Sequence, residues 1–340
     1  MRVLYIGQYS EGTTSKMRAD QLNEILNPES FEIIDTHQPF FKTSKIFRSL
    51  GFRYKRGPLI VNTNRYIYQR LKSYPVEKFD LIWVDKGVYI TKETTALLRQ
   101  KSNKLVHFTP DMAFYGNKSR HFMNSISNYD FVITTKTAEV PIYNRFIKSE
   151  NLILTTQGFD NNIHKPVFNF NKKENVVTFI GLAESSRFHL VKKLISSGIP
   201  VKVAGNGWSR FTRTNAHNKY FSYHGEGLYG ENYTNFISSS LFSIGMLSKR
   251  FPELHTTRTF EIPACGTALI TERNDETCSF FNEDEAIFYD TPEEMIEIIK
   301  YYQNHIEELE LLTAKGRERV VKDGREYKTI LEEILKRVLS

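Results

Sequence analysis

The sequence predicts two doubly wound α/β domains in tandem, and three features of its pattern say so. Short apolar runs alternate with longer amphipathic segments along most of the 340 residues. The alternation pauses once, in the polar stretch 161–175, NNIHKPVFNFNKKEN. It then restarts with another apolar run that ends in a glycine. Strands alternating with helices imply parallel sheets joined by crossover helices. One domain typically occupies roughly 100–200 residues, so two fit this length.

The strands expected in the first half are 3–7, 31–34, 81–84, 105–108, 131–134 and 152–155. Helical segments 15–26, 92–101 and 136–148 lie between them. In the second half the strands are 176–181, 201–204, 220–223, 241–244, 268–271 and 286–289, and the tail from 291 reads as charged helix. The boundaries expected are a first domain of 1–165, a second of 166–322, and a C-terminal helix, 323–340, able to pack back on the first. Ligands of doubly wound sheets bind outside the carboxyl ends of the strands. Two such domains face to face would leave a cleft between those edges.

Composition is that of an ordinary globular chain, with 40% hydrophobic and 25% charged residues. The net charge of +7 suggests an anionic partner without saying which. Two cysteines, Cys265 and Cys278, give neither a disulfide framework nor a paired metal-binding spacing. The opening residues read as a strand entering Gly7 rather than as a signal peptide. No run of about 18 apolar residues occurs. The expectation is a cytoplasmic protein, with any membrane contact peripheral and at the inner face.

The most informative segment is 253–272, ELHTTRTFEIPACGTALITE. Thr256 and Thr257 are N-cap types, and a helix would begin at Arg258 and end at Cys265-Gly266. The N-terminus of a helix, with Thr259 in its first turn, suits a pyrophosphate. Arg258 adds a charge-assisted contact worth roughly 1.5–3 kcal/mol. Glu261 lies one turn on, on the same face. From the residues alone, a surface ion pair between Arg258 and Glu261 is the favoured reading.

This segment resembles the nucleotide-binding signature of the group-1 glycosyltransferases. The similarity is greatest to the branch containing spore-maturation-type proteins, where Arg-x-Phe-Glu-x-x-Ala-Cys-Gly recurs. Looser similarity runs through Gln157-Gly158-Phe159-Asp160, His164-Lys165-Pro166 and Phe179-Ile180-Gly181. The resemblance implies the GT-B fold of two Rossmann-like domains and transfer from a nucleotide-sugar. It implies that Glu261 holds the ribose hydroxyls and that Glu253, seven residues earlier, approaches the transferred sugar. The family writes a glycine-rich run after that first glutamate, whereas this chain has Leu254-His255-Thr256-Thr257, so His255 competes for the position. Relatives also place a basic residue after the turn that opens the second domain, which makes Arg187, following Gly181, a candidate phosphate ligand.

Other motifs weigh less. Residues 225–230, GEGLYG, match Gly-x-Gly-x-x-Gly but sit in mid-domain, which argues against a dinucleotide site. Gly225, with Asn206, Gly207 and Trp208, is instead expected around the nucleotide base. Gly7-x4-Gly12 lacks the lysine of a phosphate loop, so ATPase activity is not expected. Gly12 and Arg18 suit the acceptor side. His107-Phe108-Thr109-Pro110-Asp111 follows a strand; many group-1 relatives have a functional His just before such an Asp, but Pro110 stands there. Asp111 is therefore the better candidate, gripping acceptor hydroxyls or acting as a base. No Asp-x-Asp occurs, so no metal is expected.

The function these residues predict is metal-independent transfer of a sugar from a UDP- or GDP-sugar to a hydroxyl acceptor, a glycan or a lipid-linked sugar. Similarity to group-1 enzymes favours retention; Asp111 as a base would suit inversion. The catalytic set is Asp111, Glu253, His255 and Arg258, with no resident cofactor. A non-catalytic nucleotide- or glycan-binding protein of the same fold is the first alternative and a nucleic-acid-binding protein the second, although no nucleic-acid signature stands out. Finally, the stretch 42–72 carries nine basic residues and no acidic one, with aromatics between them. That exceeds the charge of the whole chain and suits an anionic membrane surface or an acidic acceptor.

Overall fold

The computed structural model describes residues 1–75 and 77–340. The chain divides into two compact units, one of Met1–Thr156 with Lys328–Ser340 and one of Gln157–Tyr327.

The first unit holds a parallel six-stranded sheet: β1 (Arg2–Gly7), β2 (Ser30–Asp35), β3 (Phe79–Asp85), β4 (Ser102–Thr109), β5 (Phe131–Thr134) and β6 (Leu152–Leu154). Their spatial order is β2-β1-β3-β4-β5-β6. The central strands carry unbroken apolar runs because helices cover both faces. Val3, Leu4, Tyr5 and Ile6 on β1, and Leu81, Ile82, Trp83 and Val84 on β3, are all fully buried. Register pairs Tyr5 with Ile33 on one side and Trp83 on the other.

The second unit repeats the design with β7 (Glu174–Ile180), β8 (Val201–Ala204), β9 (Phe221–Tyr223), β10 (Ser240–Ile244), β11 (Ala268–Glu272) and β12 (Ile287–Tyr289). The order is β12-β11-β10-β7-β8-β9, again all parallel. Helix caps follow the side chains present. Thr91 and Thr291 each accept the N3 amide, and Asn274 with Thr277 closes a capping box.

Three details differ from the sequence reading. The units part after Thr156, not at 165, because the segment after Gln157 is tied to the second unit. Phe159 bridges to Glu326, and the Gln157 amide donates to His255 Nε2 at 3.2 Å. The helix expected over 136–148 is broken into a 3-10 turn, Thr137–Glu139, and one α-turn, Val140–Tyr143. Pro141 lacks the N–H that a longer helix would need there, and Glu139 turns away to accept the Ala113 and Phe114 amides at 2.9 and 2.7 Å. Third, the basic stretch after β2 folds into three helices, His37–Lys42, Lys45–Tyr54 and Pro58–Ser73.

The last helix, Tyr327–Leu339, supplies core to the first unit. Its Ile330, Leu331, Ile334, Leu335 and Val338 cluster with Val3, Tyr5, Trp83 and Phe108. Among the described residues no helix is long and apolar enough to cross a membrane. Leu331 is fully buried, so Leu331→Ala should lower the stability of the first unit by about 2–5 kcal/mol. Urea unfolding followed by circular dichroism checks this; a loss under about 0.5 kcal/mol would mean that the helix is peripheral.

Candidate nucleotide-sugar site

In a doubly wound sheet the strand order reverses at one point, and the loops leaving the two strands there part to make a crevice. In the second unit this switch lies between β7 and β10. The β7 loop carries Gly181 and leads into the helix Ser185–Ser196; the β10 loop runs from Gly245 to the helix Arg258–Ala264. Most of the predicted donor residues fall on these two loops and the helices they lead into.

Arg187 joins them. Its side chain is buried, and it donates to Leu182 O at 2.8 Å on one loop and to Met246 O at 3.2 Å on the other. Burial pulls its pKa down, Glu184 opposes this, and Arg258 and Arg250 push the same way as burial while Glu253 opposes them. Those charges therefore gather at one place. Glu184 is itself buried and accepts from Ser248 Oγ at 3.0 and 3.2 Å. Arg187 also lines a pocket of about 410 Å³ with Met246, Leu247, Lys249 and Glu272. It is not a solvated helix residue.

Arg258 is half-buried at the head of its helix and makes no hydrogen bond or ion pair among the described residues; its Nε is enclosed without a partner. Glu261 is not its partner. Glu261 is 5% exposed and accepts from Tyr233 Oη at 2.5 Å, while its other oxygen lies 3.6 Å from His164 Nε2. His164 Nδ1 accepts the Asp160 amide at 2.9 Å, which leaves the ring proton on Nε2, facing that carboxylate. The surface ion pair is thus excluded: Arg258 shares its surroundings with Arg187 and Arg250, and Glu261 is enclosed with Tyr233 and His164. The neighbouring carboxylate, after burial, holds the Tyr233 phenol well above its usual range.

Several expectations need correction. Thr257 occupies the N-cap position, but its backbone is already helical and its side chain makes no cap bond. Thr259 Oγ1 instead accepts the Thr256 amide at 3.2 Å, and the buried Thr256 hydroxyl finds no partner among the described residues. Trp208 cannot lay its face on a base, because it is fully buried. Its indole N–H donates to Gly181 O at 2.9 Å and ties the opening loop to the turn after β8. That turn comes very close: a Cβ on Gly205 (φ +135°) would lie 2.0 Å from Gly181 O. Asn206 and Gly207 remain exposed, and Gly225 (φ +97°) is held by the Gly205 amide at 2.8 Å. His255 is 2% exposed and uses both ring nitrogens. Nε2 accepts from the Gln157 amide and Nδ1 donates to Glu276 at 2.5 Å, so it serves as a strut rather than a group turned to a sugar. Glu253 is half-buried on the β10 loop, near enough to bear on the charge of Arg187.

The switch of the first unit lies between β1 and β3. Arg18 is fully buried there and grips Asp85 with two bonds, at 2.7 and 3.2 Å. It orders the strand ends and is not an exposed acceptor contact. Gly12 sits at φ +74° on an exposed turn. Asp111 is ion-paired to Lys86 at 2.8 Å and accepts from Asn117 at 3.1 Å, with 38% of its side chain exposed. Burial raises its pKa, but Lys86, Lys136 and Arg18 together outweigh that, and the carboxyl stays below its usual range. A carboxylate so stabilised is a weak general base. His107 is buried, and burial lowers its pKa to about 4. Its Nε2 donates to Lys86 O at 3.0 Å, holding that residue in an unusual left-handed conformation, φ +64°.

Sequence reading missed Tyr233, His164, Glu184, Ser248 and Arg250 as members of this site. Only His164 stood within a segment that the resemblance had marked.

Comparison with known proteins bears on the fold. Residues 187–336 match the family model described as glycosyl transferase-like. No curated protein matches the chain. Among solved structures, the Anabaena protein HepE in complex with UDP-glucose is similar over 99% of this chain and 98% of its own, at a TM-score of 0.68 and 11% identity. A glycosyltransferase from Rickettsia africae gives 0.67 at 14% identity over 99% and 98%. Sucrose-phosphate synthase from Thermosynechococcus elongatus gives 0.65 at 12% over 100% and 99%. These likenesses establish the fold: two parallel six-stranded α/β units of the GT-B class.

Proposed function

We propose that this protein is a glycosyltransferase of the group-1 kind that takes a sugar from a nucleoside-diphosphate sugar and passes it to a hydroxyl acceptor. One observation carries the reading. Arg258 stands at the switch point of the second sheet without an acidic partner among the described residues, and Arg187 and Arg250 share its neighbourhood. An arginine left uncommitted beside a buried arginine suits an anion with two phosphates. HepE, which shares the fold, binds UDP-glucose. A UDP-sugar is accordingly the first donor to try, and a GDP-sugar the second. The motif at 258–266 favours the spore-maturation branch.

In the reaction, the bond from the anomeric carbon to the β-phosphate oxygen breaks and one to the acceptor oxygen forms. Negative charge grows on the departing diphosphate, and preorganised cations stabilise it most where water is excluded. Arg258 faces that charge directly; Arg187 fixes the two loops that frame it. Glu261, oriented by Tyr233, receives the ribose hydroxyls. Arg258, in the positive surroundings of Arg187 and Arg250, supplies what a metal supplies elsewhere, so the reaction runs without one. The weak basicity of Asp111 disfavours inversion through that residue. Retention, with the acceptor proton leaving on the diphosphate, is the better fit. The acceptor is a glycan or a lipid-linked sugar whose hydroxyls meet Lys86 and Asp111.

Three measurements test this, each with a donor first identified by thermal shift. Arg258→Ala should lower kcat/KM by about 10²–10³-fold with the melting temperature nearly unchanged; full turnover would remove Arg258 from the mechanism. Glu261→Gln should raise the KM for donor more than it lowers kcat, since a ribose contact is made alike in ground and transition states. A fall confined to kcat would give Glu261 another task. Activity should survive excess EDTA; loss that manganese or magnesium restores would establish a metal requirement.

A further inference from the structure

The helix Lys45–Tyr54 buries almost nothing. Of its ten residues only Gly51 is buried, and a Cβ there would lie 2.6 Å from Leu59 Cβ, so the helix rests on its neighbour Pro58–Ser73 along a single line. The face beside that line is apolar and open. Ile46 is 73% exposed, Phe47 49%, Leu50 46% and Tyr54 59%. Their spacing puts all four on one stripe of the helix. Globular proteins seldom leave such a contiguous apolar stripe in water without a partner for it.

Cations surround the stripe. Lys42, Lys45, Arg53, Arg56, Arg65 and Lys72 are exposed, and none makes an ion pair among the described residues. Lys55 does not belong with them: it is 8% exposed and its Nζ donates to Phe52 O at 2.6 Å. Part of the charge sits beside aromatic rings, with Arg53 5.5 Å from the centre of Tyr54 and Lys72 4.5 Å from that of Tyr68.

We infer that the helix Lys45–Tyr54, with the cations around it, docks the protein on an anionic lipid bilayer. The combination selects the occupant. An amphipathic helix with an open apolar face and a basic border enters the boundary between headgroups and acyl chains. The cations add attraction to anionic headgroups that falls off within a Debye length. A soluble polyanion would engage the charges and have no use for Ile46, Phe47 and Leu50. This inference is independent of the proposed transfer reaction.

The test is sedimentation of the full-length protein with vesicles of phosphatidylcholine alone or mixed with phosphatidylglycerol. Binding should appear only with phosphatidylglycerol and weaken as salt is raised. Two variants divide the contributions: Lys42→Glu/Lys45→Glu/Arg53→Glu/Arg56→Glu, and Phe47→Ser/Leu50→Ser. All six side chains are exposed, so both variants should keep the wild-type circular dichroism and melting curve. Each should bind phosphatidylglycerol vesicles at least about tenfold more weakly. Calorimetric binding of nucleoside diphosphate should be unchanged in both, which separates this inference from the donor site. Wild-type protein that ignores phosphatidylglycerol vesicles overturns it. So does a Phe47→Ser/Leu50→Ser variant that binds as wild type, because a charge-only surface, equally filled by heparin or RNA, is a different site. A wild-type dimer in the ultracentrifuge that this variant makes monomeric, without vesicle binding, would assign the stripe to a second copy of the chain.

Discussion

A buried arginine stands at the switch point of each sheet, and the candidate site is organised around the need to satisfy it. Removing a guanidinium from water costs several kcal/mol unless its donors are met. In the first unit Arg18 is met by Asp85 at the end of β3. In the second, Arg187 is met by Leu182 O and Met246 O, one from each side of the switch, and is paired with Glu184 at 3.7 Å, while its Nε finds no partner among the described residues. Each arginine comes from the first helix after the first strand of its unit. The crevice that a doubly wound sheet must leave at this point is thereby fixed in width by a planar fork rather than left to loop packing.

Because Arg187 is engaged by backbone, it is a frame, and Arg258 becomes the informative residue. A charged side chain in a half-buried position ordinarily has a counter-charge. Glu261, three residues on, was available by helical spacing, yet it is bonded to Tyr233 and faces His164. The helix thus separates two groups that could have neutralised one another. One stands in a cluster of positive charge, the other is held by a phenol and an imidazole. A nucleoside diphosphate has the matching separation of features, an anionic end and a ribose diol.

Much of the fold was legible because parallel strands buried on both faces are nearly continuous apolar runs; 131–134 and 201–204 coincide with β5 and β8. The helix Arg258–Ala264 was legible from its glycine stop. What failed has a common cause. Residue type does not report burial, so Arg18 was read as a contact for acceptor and Trp208 as a platform for a base, whereas both are fully enclosed. His255 was misread similarly: its partners, Gln157 and Glu276, lie 98 and 21 residues away and carry no local signal. Tyr233 and Glu184 were missed because their roles depend on carboxylate and hydroxyl partners brought in by β10 and the helix after it. The basic stretch was visible as charge; that Lys55 is buried and that the apolar residues face outward was not.

The two switch points differ in charge, and this bears on what each unit holds. In the first, Arg18 is matched by Asp85 and Lys86 by Asp111, so the exposed groups at the strand ends are ion-paired. Such pairs offer hydrogen bonds without a large net field, which suits the hydroxyls of a neutral sugar. In the second, Arg187, Arg250 and Arg258 stand against Glu184 and Glu253, and Glu184 is already bonded to Ser248. The balance there is positive, and burial strengthens the charges of Arg187 and Glu184. Two sheets of one design are thus differentiated by a few side chains at the same topological position, and it is electrostatics rather than fold that distinguishes the two strand edges.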